Sequence, residues 1–268
     1  MKNGSFYKNK VVIITGGSSG IGKEIAKQIL MCEGSVLITG RNANKLQETY
    51  NELQQISPNI MTFQGDISSY ERNQQLVFEC VKRFGKIDIL INNAGISAFG
   101  KFDQYQKHVI DETIGTNLLG VLFLTNLSIE ELKKSKGSIF IISSLAAFYG
   151  LPNYSLYSTT KIALKAFVQS LQIELKSSGV FVGISFLGFI ENELNKKALS
   201  SNGELIIVPK RNRFLTRTKE KAVNGILKQI EAKKGTGIQS VFGKIIFVFS
   251  FLTPGIIRSG LSLQKYKT

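Results

Sequence analysis

The stretch VVIITGGSSGIGKEIAKQIL, Val11 to Leu30, decides the fold. It opens on a continuous β-branched run, the composition of a strand buried on both faces of a parallel sheet. It passes through TGGSSGIG, Thr15 to Gly22. From Lys23 to Met31 it then places Ile25, Ile29 and Leu30 on one side, as a helix does. Gly16 permits a tight turn. Gly20 and Gly22 let the backbone approach a pyrophosphate at the helix N-terminus, where free N–H groups and the helix dipole favour negative charge. Ser18, Ser19 and Ile21 complete the loop. Glycines in this pattern carry little weight alone; the strand-loop-helix setting gives them their meaning.

The same alternation continues outward. SVLIT (Ser35–Thr39), IMTFQ (Ile60–Gln64), IDILINN (Ile87–Asn93), GSIFIISS (Gly137–Ser144) and VFVGISF (Val180–Phe186) read as strands. Helical patterns lie between them: Leu46, Tyr50, Leu53 and Ile56; Leu76 to Phe84; a long helix before Gly137; and Thr159 to Glu174. Strand-helix alternation of this kind predicts an α/β fold, a Rossmann-type doubly wound parallel sheet in three α/β/α layers. The chain shows no repeat and no linker. Residues 1–240 read as one domain, and 241–268 as an apolar, basic C-terminal extension.

Composition narrows the chemistry. With 268 residues, 43% of them hydrophobic, the chain can bury a large core. Two cysteines, Cys32 and Cys80, cannot build a disulfide framework and fit a reducing compartment. The N-terminus has no signal-peptide pattern, so a cytoplasmic protein is expected. A single histidine, His108, and no CxxC argue against a metal site and against a Ser-His-Asp triad. The net charge is +15, and residues 195–268 hold 11 Lys and 4 Arg against 3 Glu. Such a basic tail suits an anionic membrane surface first and nucleic acid second, or is simply a solvated face; nucleic acid is not the expected partner.

The second strand ends at Thr39-Gly40-Arg41-Asn42. An acid at this point would hold a ribose 2′-hydroxyl. None is present, and the Arg41 guanidinium suits a 2′-phosphate. NADP(H) is therefore expected over NAD(H). Asp66 and Ile67, after the third strand, are placed against the adenine, although Asp66 also fits a turn or cap. Tyr157 and Lys161 form a Y-x-x-x-K pair that shares one helix face. A neighbouring ammonium favours phenolate, so such a tyrosine can exchange a proton with a carbonyl or alcohol. Ser144 ends the fifth strand, 13 residues before Tyr157, at the carboxyl edge where α/β sites form. Its hydroxyl can orient a substrate oxygen.

TGGSSGIG, NNAG (Asn92–Gly95), Asn117 in TNLLG, Ser144 in ISS, and YSTTK (Tyr157–Lys161) stand in the order and spacing of the short-chain dehydrogenase/reductase family. The resemblance covers roughly residues 8–194. It implies a catalytic tetrad of Asn117, Ser144, Tyr157 and Lys161, with Asn117 holding a water in a proton relay to Lys161. It also implies that Lys161 binds the nicotinamide ribose and that Asn93, Ala94 and Gly95 pass beside the adenine ribose, more structural than catalytic. Ile190 and Asn192 stand where this family contacts the nicotinamide. Two departures follow the sixth strand: Leu187 replaces the usual proline, and Asn192 the usual threonine. The family further implies a homo-oligomer, a dimer or tetramer. The reading that results is an NADP(H)-dependent reductase of a small or lipid-like ketone. A non-catalytic NADP-binding regulator or scaffold is the alternative.

Residues 188–217 are expected to form the substrate loop and its helix, with Leu194, Leu199, Leu205, Ile206, Ile207, Val208 and Phe214 offering apolar contacts. AGISAFGKF (Ala94–Phe102) is similar to the matching part of 3-ketodihydrosphingosine reductases. GTGIQS (Gly235–Ser240) reads as the last short strand. VFGKIIFVFSFLT (Val241–Thr253) then gives thirteen residues before Pro254-Gly255. That is too few to span a bilayer, and it suits an interfacial or re-entrant helix or one packed on the body.

Overall fold

A computed structural model describes residues 6–190, 197–208 and 216–263. Strands β1 (Val11–Thr15), β2 (Ser35–Gly40), β3 (Ile60–Gln64), β4 (Ile89–Asn92), β5 (Ser138–Ser144) and β6 (Phe181–Leu187) alternate with helices. The helices are α1 (Gly20–Leu30), α2 (Ala43–Leu53), α3 (Tyr70–Phe84), α4 (Lys107–Ile114), α5 (Gly120–Ser135) and α6 (Ser155–Glu174). The short strand β7 (Phe189–Ile190) follows β6 directly. After it come the hairpin β8 (Lys197–Leu199) and β9 (Leu205–Ile207), β10 (Thr216–Arg217), α7 (Lys219–Glu231), β11 (Thr236–Ile238), α8 (Val241–Leu252) and α9 (Pro254–Leu263).

The main sheet has seven strands in the order β11-β6-β5-β4-β1-β2-β3, every neighbouring pair parallel. This is the doubly wound α/β sheet expected from the strand-helix alternation. Side-chain alternation along β1 explains the three layers. Val12 and Ile14 join a cluster with Ile25, Ile29, Val223 and Ile226 of α1 and α7. Val11 and Ile13 face the other way, toward Leu76, Leu124, Leu164 and Val168 of α3, α5 and α6. Both faces are covered, which is why the strands are runs of Val and Ile rather than alternating polar and apolar residues.

The chain winds outward from β1 to β3 in one direction and from β4 to β11 in the other. The reversal at β1 and β4 opens a crevice beyond their carboxyl ends. The amino ends of the same strands are clamped by Asp88, whose carboxylate is buried. It accepts from the Val11 N–H at 2.9 Å and pairs with Lys10 at 3.0 Å and Lys86 at 2.9 Å. The Ser138 N–H donates to the Asp88 carbonyl at 2.8 Å, so β1, β4 and β5 share one anchor.

Two local expectations change. Helix α6 begins at Ser155 rather than Thr159, so Tyr157 already lies in its first turn. The helix expected within 188–217 is replaced, among the described residues, by the antiparallel hairpin β8–β9. β-branched Ile206 and Ile207, with Gly203 at φ +91° in the turn, favour a hairpin there. Leu194, Phe214 and Asn192 lie outside the described residues. Both cysteines are free; burial raises each thiol, that of Cys80 to about 12, so neither has the character of a reactive thiolate.

The Asp88 clamp makes stability depend on pH. Burial alone would raise this carboxyl, but the Val11 N–H and the Lys86 and Lys10 ammonium groups outweigh it and hold it below its ordinary value. Its contribution is present above the unfolded value of about 3.9 and is lost as pH falls through the lower folded value. Asp88→Asn should cost about 1–3 kcal/mol at neutral pH and flatten the acid limb of stability below about pH 4. Urea unfolding across pH checks this; an unchanged acid limb would contradict it.

Candidate active site

The glycine loop sits at the head of the crevice. Gly16 has φ +65° and Gly20 φ +55°, the left-handed region that glycine enters without strain. A Cβ on Gly22 would run into the carbonyl of Gly16 and lie 2.6 Å from Asn93 Nδ2. One on Gly20 would meet nothing within 4 Å. The loop is therefore tight where it touches the protein and open at Gly20, above the first turn of α1. Ser19 is the N-cap and makes no side-chain cap bond. First-turn N–H groups, from Gly20 through Ile21 to Gly22, are thus left without that acceptor, which is what a bound pyrophosphate would provide.

NNAG joins this loop to β4. Asn93 Nδ2 donates to the carbonyls of Thr15 at 2.9 Å and Gly16 at 3.3 Å. The backbone N–H groups of Asn93 and Ala94 both donate to Thr15 Oγ1 at 2.9 Å. Asn92 Nδ2 donates to Thr125 Oγ1 at 3.1 Å. Gly95 lies where three elements converge. A Cβ there would stand 3.2 Å from Lys161 Nζ and 3.3 Å from Asn117 Oδ1.

Asn117 is fully buried in a π-turn, Gly115–Leu119, between α4 and α5. Such turns interrupt α-helices most often at functional sites. Its Oδ1 accepts from the Ile96 N–H at 2.8 Å, and its Nδ2 donates to the Ile96 carbonyl at 2.8 Å and to Thr160 Oγ1 at 3.3 Å. Thr160 Oγ1 in turn donates to the Tyr157 carbonyl at 2.7 Å. Lys161 is buried, with Nζ 5.6 Å from the Tyr157 ring centre. Ser144 ends β5, and its Oγ accepts from the Ala146 N–H at 3.3 Å as it caps the short 3-10 turn Leu145–Ala147. That turn packs on α6, the helix bearing Tyr157 and Lys161. Tyr154 stacks edge-on against Phe99 at 4.9 Å and lies 6.5 Å from the Tyr157 ring.

Arg41 follows β2 and has ionic partners. Its Nη1 is 2.6 Å from Glu112 Oε1 on α4 and 4.0 Å from Asp66 Oδ2. Ser18 is beside it, since a Cβ on Gly40 would come within 3.1 Å of Ser18 Oγ. Asp66 Oδ1 accepts from the Ser68 N–H at 2.9 Å and from Ser68 Oγ at 2.8 Å, the turn role open to it from sequence. Ile67 is buried, and its carbonyl accepts from Asn73 Nδ2 at 2.6 Å. Ile190 is buried in β7, which pairs with β10. Leu187, in the place of a proline, is buried in the core and pairs with Ser144 across β5 and β6.

The structure thus brings Asn117, Lys161, Tyr157 and Gly95 together, with Ser144 on the adjoining strand end and the glycine loop joined through Asn93. Two residues of this site escaped the sequence reading. Thr160 lies inside the Y-x-x-x-K pair but has no motif of its own. Glu112 meets Arg41 only through the fold, 71 positions along the chain. The seat of the β8–β9 hairpin is also a tertiary product. Leu199 of the β8–β9 hairpin exchanges backbone hydrogen bonds with Ser97 and Phe99, each at 2.8 Å.

Comparison with known proteins identifies the family. The family model described as short chain dehydrogenase matches residues 10–203. The 11-beta-hydroxysteroid dehydrogenase 1A of Arabidopsis thaliana is 36% identical over 206 residues, which is 74% of this chain and 57% of that protein. The chain thus spans less than two thirds of that relative's length. A short chain dehydrogenase/reductase from Burkholderia phymatum, solved in complex with NAD, superposes with a TM-score of 0.80 at 17% identity. It covers 95% of this chain and 96% of its own. A metagenomic short-chain oxidoreductase solved with NADP has a TM-score of 0.65 at 26% identity, over 68% of this chain and 84% of its own. A family match over most of the chain places this protein in the short-chain dehydrogenase/reductase family.

Proposed function

We propose that this chain is an NADP(H)-dependent oxidoreductase that reduces an apolar ketone to its alcohol. The observation that carries the reading is the convergence of Lys161 and Asn117 on Gly95, with Tyr157 one turn before Lys161 on α6. The open cradle at Gly20 fits a dinucleotide pyrophosphate. When bound, a nicotinamide cofactor supplies the hydride. The protein's part is to hold and protonate the substrate. Ser144, fixed at the end of β5, orients the carbonyl oxygen. Tyr157 donates its phenolic proton to that oxygen as negative charge develops. Lys161 favours the phenolate left behind, because a nearby ammonium stabilises the charged form. The side chain of Asn117 is spent on Ile96 and Thr160. These bonds fix it beside Lys161, where a relay water would be held.

The choice of NADP(H) rests on Arg41 and on the lack of an acid between Thr39 and Asn42. The ion pair with Glu112 bears on this choice, because a 2′-phosphate would compete with that carboxylate for the guanidinium. An apolar substrate is supported by the apolar β8–β9 segment, where Ala198 and Leu199, with Val208 just after β9, are buried while Leu205 and Ile207 remain exposed. It is also supported by relatives that are named hydroxysteroid dehydrogenases.

Tyr157→Phe should lower turnover by about 10²–10⁴-fold while leaving NADPH binding intact by fluorescence titration. Near wild-type turnover would remove the mechanism. If the unmodified protein oxidises no NADPH with a panel of steroid, long-chain 3-keto and small ketones, the non-catalytic scaffold reading takes its place. For cofactor choice, Arg41→Asp should move preference toward NADH. Glu112→Gln should tighten NADPH by up to about fivefold, the size of a half-exposed ion pair, and leave NADH unchanged. Equal effects on both cofactors would sink the 2′-phosphate assignment.

A further inference from the structure

Helix α8 has two faces of different kinds. Gly243, Phe247 and Ser250 form the inner one. Gly243 is buried, and a Cβ there would lie 2.6 Å from Leu145 and 2.9 Å from Ile238. Phe247 stacks on Phe148 at 5.0 Å, and Lys165 of α6 lies 5.7 Å from the Phe247 ring and 5.6 Å from that of Phe251. The outer face carries Val241, Ile245, Val248 and Leu252, spaced four, three and four residues apart, which is one helical stripe. These four side chains are 74%, 51%, 48% and 74% exposed. Phe242, Phe249 and Phe251 widen the stripe, and Ile256 extends it onto α9.

We infer that this stripe docks on an anionic lipid surface. Three observations choose lipid over a second copy of the chain. The extension has no Asp or Glu from Val241 to Thr268, whereas Lys244 and Arg258 flank the stripe. Both cations are exposed. A basic rim around an apolar helix face is the composition of interfacial helices, which bind through apolar burial plus attraction to anionic headgroups. Among the described residues no single helix is long and apolar enough to cross a membrane, but α8 and α9 pass that test together and meet at 112°. A bend of that size interrupts a straight span and suits a pair that enters one side of a bilayer. The position is the third observation. Leu145, which α8 packs against, follows Ser144 directly, so the docked stripe sets the rim of the crevice at the lipid surface. The docking stands apart from the activity proposed above and does not require it.

The test is flotation of the full chain with phosphatidylcholine vesicles, with and without phosphatidylserine. The protein should float with the phosphatidylserine vesicles, less well as salt rises. Ile245→Glu combined with Leu252→Glu should reduce flotation by about tenfold or more and leave NADPH binding intact. Should that pair fail to fold, Lys244→Gln with Arg258→Gln should abolish the preference for phosphatidylserine while leaving the apolar stripe whole. Flotation unchanged in the foldable variant overturns the inference. So does an unmodified protein that stays at the bottom of the gradient as a dimer which the Glu substitutions dissociate, because a second copy then covers the stripe.

Discussion

The site depends on how closely the end of β4 can approach the end of β1. Parallel pairing of these strands brings Asn93 under the glycine loop, where one side-chain amide holds the carbonyls of both Thr15 and Gly16. Thr15 returns the constraint by accepting two backbone N–H groups from Asn93 and Ala94. Without this lacing, the loop that faces the nucleotide and the turn that faces Lys161 would move separately. Glycine permits it: a Cβ on Gly22 would strike the Gly16 carbonyl, and one on Gly16 or Gly95 would be tightly crowded. At the opposite end of the same strands, Asp88 ties β1, β4 and β5. The crevice is thus held open by restraint at both ends of its central strands.

Much of this was legible in the sequence because the signals are local. A β-branched run followed by glycines and a 3.6-residue period describes a strand, a turn and a helix with no reference to the rest of the chain. The Tyr157–Lys161 spacing likewise requires only a helix. The parallel order of the strands follows from the lengths of the crossovers between them. What stayed hidden was whatever the fold joins from afar. Glu112 reads as one more acid on an amphipathic helix, and only packing sets it against Arg41. Thr160 reads as a helical filler, and only the π-turn brings Asn117 to it. The hairpin at 197–207 stayed hidden too, because a short apolar run does not reveal its period and Leu199 gains its partner from a segment about a hundred residues away.

One departure from the family pattern, Leu187, lies within the described residues. Leu187 fills core space at the end of β6 and keeps its pairing with Ser144. The next residue, Gly188, is constrained by Ser240, whose Oγ would lie 2.9 Å from a Cβ there and which also caps α8. The strand leading to the nicotinamide side and the first turn of the apolar extension are therefore packed against one another. The extension belongs mechanically to the site, although the sequence alone makes it look like an appendage.

The β8–β9 hairpin joins the body at Leu199 through main-chain bonds to Ser97 and Phe99. Backbone attachment of this kind is indifferent to side-chain identity. The hairpin's side chains can change one at a time while the hairpin stays in place, and none of them belongs to the network described around Lys161. The hairpin's attachment and the network around Lys161 are consequently written in separate parts of the chain, and selection can revise the first without reopening the second.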